Sequence, residues 1–330
     1  MASGAPRSHR ICRLAAALGL VIGMGSCGGD SSSPSASQPS PTASATPIAS
    51  GPVIAVAGDI SCGPENTPSV ATCRQFDTSE LIVAMNPSLV LAAGDIQYEG
   101  GRHEDYLRYY DVTWGRFKPI TRPALGNHEY QLHSDARGYF DYFNGVGVSD
   151  GPAGTRGRGF YSFNLGTWHI VVLNSECSRV GGCGVDSTQG RWLRDDLQAS
   201  SATCTLAVLH YPRFSSGRNG STASMQAFWQ LLVDRGVELV VSGHDHLYER
   251  LAPMNAEGNV DTARGMRQFV VGTGGYGHYV FRSPPLAASE ARIQDVFGVL
   301  KLTLGPTAYE WEFIPIAYQS GRDTGNQACH

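Results

Sequence analysis

Five short apolar runs, each closed by a polar residue, set the pattern of this chain. Val53–Ala57 leads into Gly58-Asp59, Leu89–Ala93 into Gly94-Asp95, and residues 123–125 into Gly126-Asn127-His128-Glu129. Residues 205–209 deliver His210, and the mostly apolar 237–241 deliver Ser242-Gly243-His244-Asp245-His246. Runs of this length, rich in Val, Leu and Ala and bounded by Gly, predict strands buried on both faces of a sheet covered by helices. Ligands collect outside the carboxyl ends of such strands, and here every end offers a carboxylate, carboxamide or imidazole.

Helical spacing between the runs predicts helices over 77–85, stopped by Asn86-Pro87, over 188–199 with Trp192, Leu193 and Leu197 toward a core, and over 221–235, ended by Gly236. Residues 160–165, 168–173, 268–271, 296–304 and 309–313 read as further strands. The alternation of Tyr161, Phe163 and Leu165 suggests antiparallel pairing near an edge, and Gly305-Pro306 a hairpin between the last two. The expected architecture is an α/β domain with mixed sheets. Gly272 to Gly277 spells G-x-G-x-x-G, but no helical pattern follows and Pro284-Pro285 intervenes. A turn or a site-lining loop fits better than a dinucleotide site.

At 330 residues the chain can bury a full core, and a net charge of −4 leaves no polycationic footprint, which argues against nucleic acid as a partner. Arg7, Arg10 and Arg13 precede an apolar stretch over 14–24, too short to span a membrane, so 1–27 is expected to be a signal peptide. Met24-Gly25-Ser26-Cys27 resembles a bacterial lipobox, which would make Cys27 a lipid-modified N-terminus; cleavage by an ordinary signal peptidase is the alternative. Residues 28–51 are Ser, Pro, Thr, Ala and Gly and are expected to form a disordered tether. The product would be an exported protein, either anchored at the cell surface or secreted, with residues 52–330 as its domain. Of eight cysteines, six follow the tether, an even number that favours disulfides in an exported protein. Proximity suggests Cys62 with Cys73 and Cys177 with Cys183, leaving Cys204 for Cys329, among 15 possible pairings.

Carboxylate, amide oxygen and imidazole together suit Zn, Fe, Mn or Co. Two such ions roughly 3.5–4 Å apart can clamp the attacking and leaving oxygens of an in-line displacement. Asp59, Gly94-Asp95-Ile96-Gln97-Tyr98, Gly126-Asn127-His128-Glu129, His210 and Gly243-His244-Asp245-His246, in this order, resemble the motif set of the calcineurin-like metallophosphoesterases. That resemblance implies mixed β-sheets packed as a sandwich and flanked by helices, a single catalytic domain, and two metal ions. It makes Asp95 the bridging ligand, places Asp59 and His246 on the first metal, and places Asn127, His210 and His244 on the second.

Many relatives carry Asp-x-His at the first aspartate, whereas Ser61 stands third here. Tyr98, in Gly-Asp-x-x-Tyr, looks like the replacement ligand of the purple acid phosphatase branch; an ordinary aromatic contact is the alternative. A phenolate ligand favours Fe(III), so the implied cofactors are Fe with Zn, Mn or Fe. His128 is the implied general acid, with Asn127, His128 and Arg213 meeting the substrate phosphate; Glu129 either orients a neighbour or is solvated. His103, His133, His169, His278 and His330 receive no role. Residues 131–158 and 253–265 are candidate substrate-facing loops.

The leading expectation is an exported phosphomonoesterase acting on a small phosphorylated substrate by in-line attack of metal-bound hydroxide, without a covalent phosphoenzyme. A phosphodiesterase or nucleotidase of the same family is an alternative, as is a surface lipoprotein that binds metal or phosphate without turnover. The oligomeric state is left open.

Overall fold

Strand β1 (Val53–Ala57) is followed by helix α1 (Gln75–Met85), and strand β2 (Leu89–Ala93) precedes β3 (Thr121–Ala124). These details come from a computed structural model, which describes residues 51–330 except Ser283. The signal, the lipobox and residues 28–50 of the tether therefore lie outside the described residues. β1, β2 and β3 pair in parallel, all but Val53 and Arg122 buried as their composition predicts.

After a short helical turn (His103–Asp105, α2) come helix α3 (Arg137–Phe143) and a small hairpin of β4 (Asp150–Gly151) and β5 (Gly154–Thr155). Then follow β6 (Tyr161–Leu165), β7 (Trp168–Val172), helix α4 (Thr188–Ala199), β8 (Cys204–Val208), helix α5 (Gln226–Asp234) and β9 (Leu239–Ser242). The chain closes with β10 (Tyr248–Leu251), β11 (Arg267–Val271), β12 (Ser289–Ile293), β13 (Gly298–Leu304), β14 (Ala308–Pro315) and β15 (Asp323–Ala328).

Two mixed sheets result, in the orders β15-β14-β13-β1-β2-β3 and β12-β10-β11-β9-β8-β7-β6. Val56, Leu91 and Leu300 of the first share one buried apolar cluster with Val208, Val241 and Phe269 of the second. Leu193 and Leu197 of α4 and Phe228, Trp229 and Leu232 of α5 form a second cluster with Val171, Ala207 and Val240. The expected sandwich with flanking helices is therefore present. β7, β8, β9 and β11 run parallel, and β6 pairs antiparallel with β7 at the edge, as its alternation predicts. β13 and β14 form the expected hairpin.

All three disulfides form as expected: Cys62–Cys73, Cys177–Cys183 and Cys204–Cys329. The last ties the end of the chain to β8. Residues 131–158, a candidate substrate-facing loop, are not a plain loop. They contain α3, whose Tyr139, Phe140, Tyr142 and Phe143 are buried against Tyr106 and Tyr110.

Candidate metal centre

Asp59 and Asp95 stand just past β1 and β2, Asn127 just past β3, and His210 and His244 just past β8 and β9. Asp59, Asp95 and His244 take left-handed φ values of 59°, 48° and 71°, a costly conformation for non-glycine residues that concentrates at functional sites. The glycines beside them permit the close packing. A Cβ on Gly94, itself at φ 85°, would stand 2.5 Å from the His210 ring, and one on Gly126 would stand 2.2 Å from Asp95 Oδ1.

The side chains converge in two halves. In one, the Tyr98 hydroxyl lies 2.9 Å from Asp59 Oδ1, 3.2 Å from Asp95 Oδ2 and 3.2 Å from His246 Nε2. In the other, His210 Nε2 lies 3.2 Å from the same Asp95 Oδ2 and 3.3 Å from Asn127 Oδ1. Donor atoms of Asp95, His210 and His244 fall within 4.8 Å of one another. Asp95 Oδ2 is thus shared by both halves, and Tyr98 is more than an aromatic contact.

These residues fit a cation. His210 Nδ1 donates to the Ala93 carbonyl at 2.9 Å, so in the neutral ring Nε2 is a bare acceptor facing two oxygen acceptors. A positive charge is needed between them, either a proton or a metal ion. Without metal the proton serves: burial opposes it, but Asp95 and Asp59 outweigh burial and push the His210 pKa up to about 10. Burial likewise opposes ionisation of Asp95, yet His210 and His128 hold its carboxyl well below the usual range. Burial and the charge of His210 lower His244 to about 4, leaving it neutral with a free lone pair. Burial, then Asp59 and Asp95, push the Tyr98 phenol well above its ordinary value. Only a strongly charged cation at that oxygen would make it a phenolate.

Two buried carboxylates brace the cluster. Glu129 accepts N–H bonds from Gly126 (2.8 Å), Ile96 (2.8 Å), Asp95 (3.1 Å) and Gln97 (3.4 Å), and the Tyr106 hydroxyl at 3.0 Å. Of the two roles expected for Glu129, positioning is therefore the one the structure supports. Asp245 accepts the Ser215 hydroxyl at 2.5 Å and the Asn219 N–H at 2.7 Å, fixing loop 215–220 beside the two histidines. His128 donates its backbone N–H to Asp95 Oδ1 at 2.8 Å, and its Nδ1 lies 2.6 Å from the Glu99 carbonyl. Its Nε2 is left facing the centre, 3.9 Å from Asp95 Oδ2.

The profile of the family described as calcineurin-like phosphoesterase matches residues 52–248, more than half of the chain. The chain belongs to this family. Purple acid phosphatase 15 of Arabidopsis thaliana is 26% identical over 228 residues, covering 60% of this chain and 40% of that protein. Fe(3+)-Zn(2+) purple acid phosphatase 12 of the same plant is 28% identical over 185 residues, 50% of this chain and 38% of its own. The chain thus spans well under half the length of either relative. The purple acid phosphatase PPD1 of yellow lupin superposes with a TM-score of 0.67 at 19% identity, covering 85% of this chain and 54% of that one. That likeness concerns the fold.

Within this calcineurin-like fold the structure brings Asp59, Asp95, Tyr98, Asn127, His128, His210, His244 and His246 together and leaves Arg213 outside. Arg213 Nε donates to Gln226 Oε1 at 2.8 Å and its guanidinium rests over Phe214, against the apolar face of α5. Tyr211 still packs on His244, with ring centroids 4.5 Å apart, whereas Arg213 turns to α5. Residues 253–265 also lie elsewhere: the carbonyls of Asn255 and Ala256 accept bonds from Trp229 and Gln226 of α5. Absent from the sequence reading were Tyr276, stacked on Tyr98 at 3.6 Å, and Tyr279, stacked on His246 at 3.9 Å. Tyr276 belongs to the glycine-rich run 272–277, which bonds to Gly58 and Asp59 and lines the site; Tyr279 lies two residues beyond it.

Proposed function

We propose that this phosphoesterase is an exported phosphomonoesterase of the purple acid phosphatase type, working with two metal ions held around Asp95. The observation that carries the reading is Asp95 Oδ2, 3.2 Å from both Tyr98 and His210 and so common to two ligand sets. Asp59, Tyr98 and His246 would hold the first ion, Asn127, His210 and His244 the second, with Asp95 bridging. When bound, the ions supply Lewis acidity and lower the pKa of water for an in-line displacement. The phenol of Tyr98 favours iron in the first position, with Zn, Mn or Fe in the second; the Fe(3+)-Zn(2+) relative supports that choice.

The protein's own residues do the rest. Asn127 and His128 bind the phosphate. With Nδ1 tied to the Glu99 carbonyl, His128 presents Nε2 as the atom that delivers a proton to the leaving oxygen. Glu129 holds the turns that carry both residues. The three disulfides support an oxidising compartment, and the lipobox supports anchorage through Cys27, with residues 28–51 as tether. No helix among the described residues is long and apolar enough to cross a membrane.

His128→Ala tests the reading. Turnover of an aryl phosphate is expected to fall by about 10²–10⁴-fold while two metals per chain are retained. Unchanged turnover would remove the proton-donor role.

A further inference from the structure

We propose that Tyr276 is a positioning residue for proton delivery: by gripping Glu99 it fixes the ring of His128, so that Nε2 is held toward the leaving oxygen. The inference rests on the phosphoesterase reading, in which His128 supplies that proton, and adds a residue to its machinery.

Tyr276 is anchored along its whole length. Its backbone N–H donates to the Asp59 carbonyl at 3.0 Å, and its own carbonyl accepts the Cys73 N–H at 3.3 Å and the Thr72 hydroxyl. The Cys62–Cys73 disulfide closes the strap that carries those two donors. The ring lies over that of Tyr98, with centroids 3.6 Å apart and planes 9° from parallel. Aromatic pairs by themselves prefer an offset or edge-on arrangement with centroids roughly 4.5–7 Å apart. The backbone anchors and the hydroxyl therefore decide where this ring sits.

That hydroxyl donates to Glu99 Oε1, which also accepts the Asn66 side-chain amide at 3.4 Å. Glu99 lies in the turn 98–100, outside any strand ladder, so side-chain contacts govern its aim. Its carbonyl oxygen lies 2.6 Å from His128 Nδ1, and its Oε2 3.7 Å from the same atom. His128 in turn meets the Tyr98 ring, with centroids 4.2 Å apart and planes tilted by 49°. Tyr276, Tyr98, His128 and Glu99 thus form a closed circuit of four side chains. Stacking on Tyr98 alone would be served by phenylalanine; the hydroxyl is what closes the circuit. A proton donor on this ring must keep its Nδ1 proton on the Glu99 carbonyl while Nε2 yields its own. Misplacing such a group by about 1 Å can cost about 100-fold in rate.

The experiment compares Tyr276→Phe with the parent in the full metal-loaded chain, on phenyl phosphate and on 4-nitrophenyl phosphate. Nitrophenolate is a stable anion that departs with little help from an acid, whereas phenolate needs the proton. The variant is expected to lose about 10-fold more kcat on phenyl phosphate than on the nitrophenyl ester. Because the effect passes through Glu99, Y276F should change kcat by no more than about twofold in an E99A background. Equal losses on both esters, no loss on either, or a full loss in the E99A background would overturn the proposal. Exchange of the His128 Nδ1 proton with water, followed by NMR of the histidine-labelled chain, separates this from a failure of the esterase reading. Exchange about 10-fold faster in Y276F, in a chain that hydrolyses neither ester, would sustain the positioning role and defeat the esterase; unchanged exchange would defeat the positioning role.

Discussion

Replacing Glu129 with glutamine changes one oxygen to an NH2 and almost nothing in volume, yet it should disable the centre. Oε2 accepts from Asp95 and Gly126, and Oε1 from Ile96, Gln97 and the Tyr106 hydroxyl. Whichever oxygen becomes NH2, at least two buried backbone N–H groups face a donor. Each orphaned donor costs about 1–3 kcal/mol, and relief from burying a charge offsets part of that. A net loss of about 2–4 kcal/mol is expected, or roughly 3–7 °C in Tm. Because the affected N–H groups belong to the turns that present Asp95 and Asn127, turnover should fall with stability. Urea unfolding and aryl phosphate kinetics on Glu129→Gln measure both. A variant within about 0.5 kcal/mol of the parent, with full turnover, would refute the bracing role.

Tyr98→Phe should abolish any visible absorption band of the iron-loaded protein while its metal content persists; a band that survives would assign it to another ligand. Cys204→Ser with Cys329→Ser opens a loop of 125 residues and should cost about 4–5 kcal/mol in urea unfolding, whereas an unchanged midpoint would contradict the chain-entropy account. His278 rests 3.8 Å from Phe297, and burial holds its pKa down at about 4 from the ordinary 6.5, with Asp295 opposing and His246 assisting. Since the unfolded chain takes up this proton first, the contribution to stability is present above pH 6.5 and is lost as pH falls toward 4. His278→Gln should flatten that acid limb, and an unaltered slope would count against it.

The strand-end chemistry was legible because each run is locally coherent: a buried strand and a polar residue lie in one stretch of sequence, with a glycine between them in all but the run that ends at His210. What was not legible depends on contacts between distant segments. Tyr276 and Tyr279 meet Tyr98 and His246 only because the loop after β11 folds back over β1 and β9. β15 carries no alternation of apolar residues and is held by pairing to β14, by Asp323 and by Cys329. α3 is only seven residues long, too short for a helical period to show, which hid a buried helix inside a segment read as loop. Arg213 shows the opposite failure, where nearness in sequence to His210 suggested nearness in space but the side chain is held by Gln226 of α5 instead.

The most direct test of the central claim is hydrolysis of an aryl phosphate by the full chain, before and after chelation, with metal counted per chain at each stage. Two ions per chain, activity lost with them and regained on their return, is the predicted result. Ester hydrolysis that persists without metal, or a chain that binds two ions and consumes no phosphate ester, would contradict it.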